Sequence, residues 1–153
     1  MQSINAKSPA TVDLGVRIGY MQQTIPSRLT SFLQLEFPMA ITRFDKGPRM
    51  SQAVVHGNMV YLAGQTAENG ATVADQTAEI LAKIDALLAR AGTDKSHLLQ
   101  ATIWLSDMAT FDEMNKVWEA WVDPDNPPAR ATGEVKLAAP RYLVEIIIVA
   151  TLP

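Results

Sequence analysis

A chain of 153 residues, 48% apolar and 19% charged, has the length and balance of one globular domain able to bury a core without staples. A formal charge of −3 and the lack of any dense Lys/Arg cluster argue against a nucleic-acid partner, and no apolar run approaches the roughly 18 residues of a membrane span. The absence of cysteine excludes disulfides, thiol nucleophiles and Cys-based zinc sites; it is compatible with a reducing cytoplasm, where the protein is expected.

Residues 1–38 stand apart from the rest. They carry Lys7, Arg17, Arg28, Asp13 and Glu36, a net +1, which leaves −4 for the remainder. Ser, Thr and Gln abound, apolar residues keep no sustained period, Pro26 interrupts any helix and Pro38 closes the segment. A flexible tail, a transit-type targeting segment and an upstream-start artefact with Met39 as the natural start all fit. The last is preferred, because regular patterning begins just after Met39. The domain proper is therefore expected over residues 39–153.

A short strand is expected near residues 42–44. In residues 52–65, QAVVHGNMVYLAGQ, two apolar runs flank Gly57-Asn58, a two-residue hairpin signal, and a further turn follows at Asn69-Gly70. Thr72 reads as the cap of a helix, with Asp75 as capping-box partner, an apolar stripe of Ile80, Leu81, Ile84, Leu87, Leu88 and Ala91, and Gly92 as its stop. Residues 98–105 read as a strand. Thr110 and Glu113 predict a capping box for a second helix, whose stripe of Phe111, Met114, Val117, Trp118 and Trp121 ends at Asp123-Pro124. After the loop DPDNPP, residues 129–136 alternate as a strand and 138–140 form a turn. Residues 142–152 are apolar on both faces, as in a central, doubly covered strand. The order β-β-β-α-β-α-β-β implies an α+β domain, one mixed sheet with both helices on one face. The other face is then left bare, so self-association is expected.

Glu145 interrupts YLVEIIIVA, where an unpaired buried carboxylate costs several kcal/mol. It reads either as a structural ion pair or edge residue, or as a cavity acid with a raised pKa able to hold and activate water. Arg130 follows Pro127-Pro128-Ala129, and its guanidinium fork matches a carboxylate, which points to a small carboxylate-bearing metabolite. Were strands 129–136 and 141–151 paired antiparallel, the two residues would lie near one end of the sheet. Thr132 and Glu134 share the strand face of Arg130; Asn115 borders the apolar stripe of the second helix and needs a partner. Gly64 ends a strand with backbone open to close approach. His56 and His97 lack a second ligand at metal spacing, Ser51 and Ser106 lack a His partner, and no P-loop, dinucleotide or zinc motif is present. Trp104, Trp118 and Trp121 read as core or interface residues.

The stretch PARATGEVKLAAPRYLVEIIIVA resembles the C-terminal signature of the RidA, or YjgF-type, imine deaminases, in which P-x-R and a final-strand V/I-E-I place Arg and Glu fifteen residues apart, as Arg130 and Glu145 stand here. NMVYLAGQ resembles the family's N-M-hydrophobic-S-G-Q strand and FDEMNKVWEAW its second helix, so the likeness runs over about residues 41–152. RMSQAVVHGNMVYLAG is most similar to the subgroup resembling the bacterial protein YoaB.

The resemblance implies a chorismate-mutase-like fold with a mixed six-stranded sheet, assembled as a homotrimer with sites at the subunit clefts. It implies hydrolysis of 2-aminoacrylate-type enamines and imines to 2-oxo acids and ammonia, without metal or cofactor. Arg130 would hold the substrate carboxylate, Glu145 would position water, and Gly64 and Asn115 would line the pocket. Three pocket positions depart from the family pattern: Met50 replaces a Tyr, Ala63 a Ser and Thr132 a Cys. A non-catalytic trimer that binds a 2-oxo acid as a sensor is the alternative. A ribonuclease activity, also attached to the family name, is disfavoured by the acidic composition.

Overall fold

The computed structural model describes residues 40–153; the expectation for residues 1–38 lies outside them. Strands β1 (Ile41–Phe44), β2 (Ala53–His56) and β3 (Met59–Leu62) precede helix α1 (Val73–Ala91). Strand β4 (Leu98–Leu105), helix α2 (Phe111–Trp121), β5 (Ala129–Glu134) and β6 (Val144–Thr151) follow. The strands form one mixed sheet in the order β1-β2-β3-β6-β4-β5, the α+β architecture expected.

Local signals act as read. Gly57 takes φ 60 while Asn58 keeps a negative φ, the pattern of a II′ turn, and His56 pairs with Met59 across it. Thr72 accepts from the Asp75 backbone N–H and donates its own hydroxyl to the Asp75 carboxylate. Gly92, at φ 90, ends α1 in the left-handed region, and Thr93 N–H reaches back to Leu88 O at 3.0 Å. The cap expected at Thr110 does not form. A 3-10 turn, Met108–Thr110, carries the chain into α2. The Thr110 hydroxyl is therefore spent on Asp107 O, and Glu113 accepts instead from Ala74 N–H at the start of α1. That contact ties the two helices together at their N-terminal ends.

Alternation along the strands sorts the sheet into two faces. Val60, Leu62, Ala101, Ile103, Leu105, Val144, Ile146, Ile148 and Ala150 pack under both helices with Ile80, Ile84, Leu88, Met114 and Trp118. Ile84 is fully buried there, and Ile84→Ala is expected to cost about 2–5 kcal/mol. The check is urea unfolding; a loss below 1 kcal/mol would show that this site collapses freely. The opposite face presents Val54, Tyr61, Trp104, Glu145, Ile147 and Val149. Strand β6 is thus central, but within one protomer its second face is only half-buried rather than covered.

The antiparallel pairing of the last two strands is overturned. The two edges of β6 are taken by β3 and β4, and β5 lies beyond β4 and parallel to it. The cause is the intervening helix: β4-α2-β5 is a crossover unit, and a helical crossover returns the chain parallel to the strand it left.

Candidate functional site

Glu145 lies on the open face, opposite Trp104 of β4. Its neighbour Ile146 makes a two-bond bridge to Gln65: Gln65 N–H donates to Ile146 O at 2.9 Å and Ile146 N–H to Gln65 O at 3.1 Å. This bridge lays the Gly64 backbone against the carboxyl. A Cβ built on Gly64 would sit 1.9 Å from Glu145 Oε1, so only glycine leaves room for the acid where it stands. The half-buried carboxyl is pushed above its ordinary value of 4.5, with desolvation as the cause. No salt bridge among the described residues reaches it.

Several contacts hold this corner. Gln76, buried on α1, donates to Gly70 O and Arg141 O and accepts from Leu143 N–H, which anchors the entry to β6. Glu79 accepts from the Glu68 and Asn69 N–H groups, and Lys83 donates to Thr66 O, so α1 also grips the chain beyond Gly64. The Glu68 N–H bond leads the causes that hold Glu79 below the usual carboxylate range. Gly64→Ala is expected to keep the fold, because the atoms met first end a flexible side chain, but to swing the Glu145 carboxyl out of place. An unfolded variant, or one with the Glu145 environment unchanged by NMR, would contradict this.

Arg130 occupies a different place. It pairs with Ala101, whose side chain is buried under the helices, so Arg130 projects on the helix side of β5. Its Nη1 donates to Asn115 Oδ1 at 2.7 Å, and Asn115 Nδ2 donates to Glu119 at 2.8 Å. The guanidinium carbon lies 5.9 Å from the Phe111 ring centre and 5.6 Å from that of Trp118, a bed of two aromatic faces. Thr132 shares this strand face; its buried hydroxyl has no hydrogen-bond partner among the described residues. Glu134, two residues on, accepts from Met108 N–H.

The expected residues therefore fall into two groups. Gly64, Ala63 and Glu145 stand together, with Ala63 O accepting from Gln65 Nε2. Arg130, Asn115 and Thr132 form the second group. Glu145 aligns through Trp104 with Gly133, three residues from Arg130, and that odd number puts the two on opposite faces. Two strand spacings and three residue rises separate their Cα atoms by roughly 14 Å. Met50 belongs to neither group; it is half exposed in the loop after β1, with its carbonyl held by Gly47 N–H.

Phe111 and Trp118 as the bed for Arg130, and Glu119 as the partner of Asn115, were not read from the sequence as site residues. Their spacing on one helix face, 111, 115, 118 and 119, is the signal that could have shown them. Among the described residues no His/Asp/Glu cluster could hold a metal, and no helix is long and apolar enough to cross a membrane.

Comparison with known proteins places this arrangement. RutC family protein YoaB of Escherichia coli (strain K12) is 45% identical over 112 residues, covering 73% of this chain and 98% of that protein. A solved YjgF-family structure from Neisseria meningitidis superposes with a TM-score of 0.74 at 48% identity, over 75% of this chain and 97% of that one. Reactive Intermediate Deaminase A, chloroplastic, of Arabidopsis thaliana is 33% identical over 109 residues, covering 67% of this chain and 58% of that protein. Residues 41–152 match the family described as Endoribonuclease L-PSP, and on that match and the YoaB and YjgF likenesses the chain belongs to this YjgF/RutC family.

Proposed function

We propose that the protein hydrolyses reactive 2-imino and enamine acids to 2-oxo acids and ammonia, at sites each built from two copies of the chain. The observation that carries this reading is Glu145: a desolvated acid that pairs with no cation among the described residues, set against bare glycine backbone. A purely structural carboxylate in that position would be costly and unrewarded. The relative named as a reactive-intermediate deaminase supports the same chemistry.

Arg130, steadied by Asn115 and its aromatic bed, turns its remaining donors to the substrate carboxylate. Ionised Glu145 takes a proton from water as the water oxygen bonds to the carbon of the N-protonated imine and the C=N pair moves to nitrogen. Glu145 returns that proton to the amino nitrogen; the C–N bond then breaks with its electron pair on ammonia, as Glu145 takes the hydroxyl proton and the C=O forms. Orientation and proton transfer through one carboxylate suffice, and no metal or cofactor enters. Because Arg130 and Glu145 face opposite sides of one sheet, the acid of one copy serves the arginine of another. The apolar open face around Tyr61, Ile147 and Val149 is the surface on which copies pack, as a trimer. A cytoplasmic location belongs to the same reading.

The test generates imino acids with an amino-acid oxidase and follows semicarbazone trapping. Wild-type protein is expected to suppress trapping while 2-oxo acid accumulates. Binding of 2-oxo acids with no acceleration of any imine would instead support the non-catalytic reading. That reading is favoured by one observation: Ala63, in the segment beside the acid, supplies no hydroxyl. RNA cleavage is disfavoured by the acidic composition.

A further inference from the structure

The segment carrying Gly64 is held from beneath by a pair of amides. Gln65 is 6% exposed, and both hydrogens of its Nε2 are used: one goes to Gln52 Oε1 at 3.0 Å, the other to Ala63 O at 3.0 Å. The backbone of Gln52 is fixed in turn, its N–H donating to Phe44 O and its carbonyl accepting from Ala63 N–H, each at 3.0 Å. Gln65 also bridges Ile146 on both of its backbone groups, immediately beside Glu145. One residue thus binds the chain on either side of Gly64 and the strand that carries the acid. An apolar side chain of similar shape would fill this space without a desolvation cost, so the amide is there for its donors.

We propose that Gln65, braced by Gln52, is a positioning residue that keeps the Gly64 backbone closed over the Glu145 carboxyl. It touches no substrate. It rests on the reading of Glu145 as the water-holding acid and specifies how that acid is kept in place. Without the two donated bonds, segment 63–65 lifts, water reaches the carboxyl, and the attacking water loses its fixed position. The charged groups near the segment are Lys83 and Glu68, which line the cleft with Gln52, Gly64 and Thr66; desolvation alone accounts for the raised pKa of Glu145.

The test is Gln65→Met in the full chain, which keeps volume and removes both donors, with two readouts. In imine hydrolysis kcat is expected to fall about 10–10²-fold through misplacement of the attacking water, with KM changed less than about twofold because the arginine that holds the substrate carboxylate comes from another copy, steadied by that copy's own Asn115 and aromatic bed. In carbon-13 NMR, the Glu145 carboxyl, assigned by its loss in Glu145→Gln, is expected to titrate lower than in wild type, towards the ordinary carboxylate range. Gln52→Ala should move it in the same direction and by less, because the bond to Ala63 O survives; this variant carries the test if Gln65→Met does not fold. A folded variant whose Glu145 titrates as in wild type overturns the proposal, whatever its turnover. So does an equal shift in Ile84→Ala, which would mark general loosening. The titration needs no turnover, so a wild-type protein inactive on imines defeats the deaminase reading while this test still decides the role of Gln65.

Discussion

Glu145→Gln is expected to lower kcat for imine hydrolysis by about 10²–10⁴-fold, the range of a lost general base, while making the protein more stable at neutral pH. Both effects have one cause. The folded protein binds a proton at Glu145 more tightly than the unfolded chain does, because burial raises the carboxyl above its ordinary 4.5. Stability is therefore greatest below that ordinary value and is lost as pH rises from it through the folded pKa. Above this window the ionised acid is a standing cost that glutamine removes. Thermal melts at pH 7 and pH 4 check this: the variant should melt higher than wild type at pH 7 and alike at pH 4. A variant less stable at neutral pH would mean that an unseen partner compensates the charge. Activity in wild type should fall on the acid side with a limb above the ordinary carboxylate range, since only the ionised acid accepts the proton.

Arg130→Ala is expected to reduce kcat/KM by roughly 10²–10⁴-fold, the equivalent of two charge-assisted hydrogen bonds to the substrate carboxylate. A mixing experiment then reads the geometry. Each single variant carries one defective half in every site. Arg130→Ala and Glu145→Gln chains unfolded together and reassembled at random should restore about a quarter of the sites, those where an intact arginine of one copy meets an intact acid of the next. Recovery of ammonia release in the mixture, with neither parent active, is the expected result. No recovery despite mixed oligomers, verified by mass spectrometry, would sink the two-copy site. The stacking of Arg130 on Phe111 and Trp118 implies that Arg130→Lys will not rescue, since an ammonium keeps the charge but loses the planar fork.

The sequence was most legible where a signal is local. Thr72 and Gly92 bound the first helix because a hydroxyl acceptor and a residue tolerant of positive φ are needed at those two positions. Glu145 stood out because a carboxylate breaks an apolar run, and its burial and raised pKa follow from that same contrast. The second helix shows where local reading stops. Thr110 and Glu113 satisfy the capping-box pattern, yet a preceding 3-10 turn and the Ala74 N–H in the first turn of α1 offered the two side chains other partners. A motif states what a side chain can bind; the competing donors arrive from residues distant in the chain.

Element order, the one-sided helix layer and a carboxylate set within an apolar strand were determined by the sequence alone, through periodicity and through the cost of burying charge. Only the tertiary structure decided which strands are neighbours. Every strand edge offers the same backbone donors and acceptors, so alternation cannot say that β4 would come between β5 and β6. The register of those pairings, Glu145 to Trp104 to Gly133, then sets Arg130 and Glu145, fifteen residues apart in the chain, on opposite faces of one sheet.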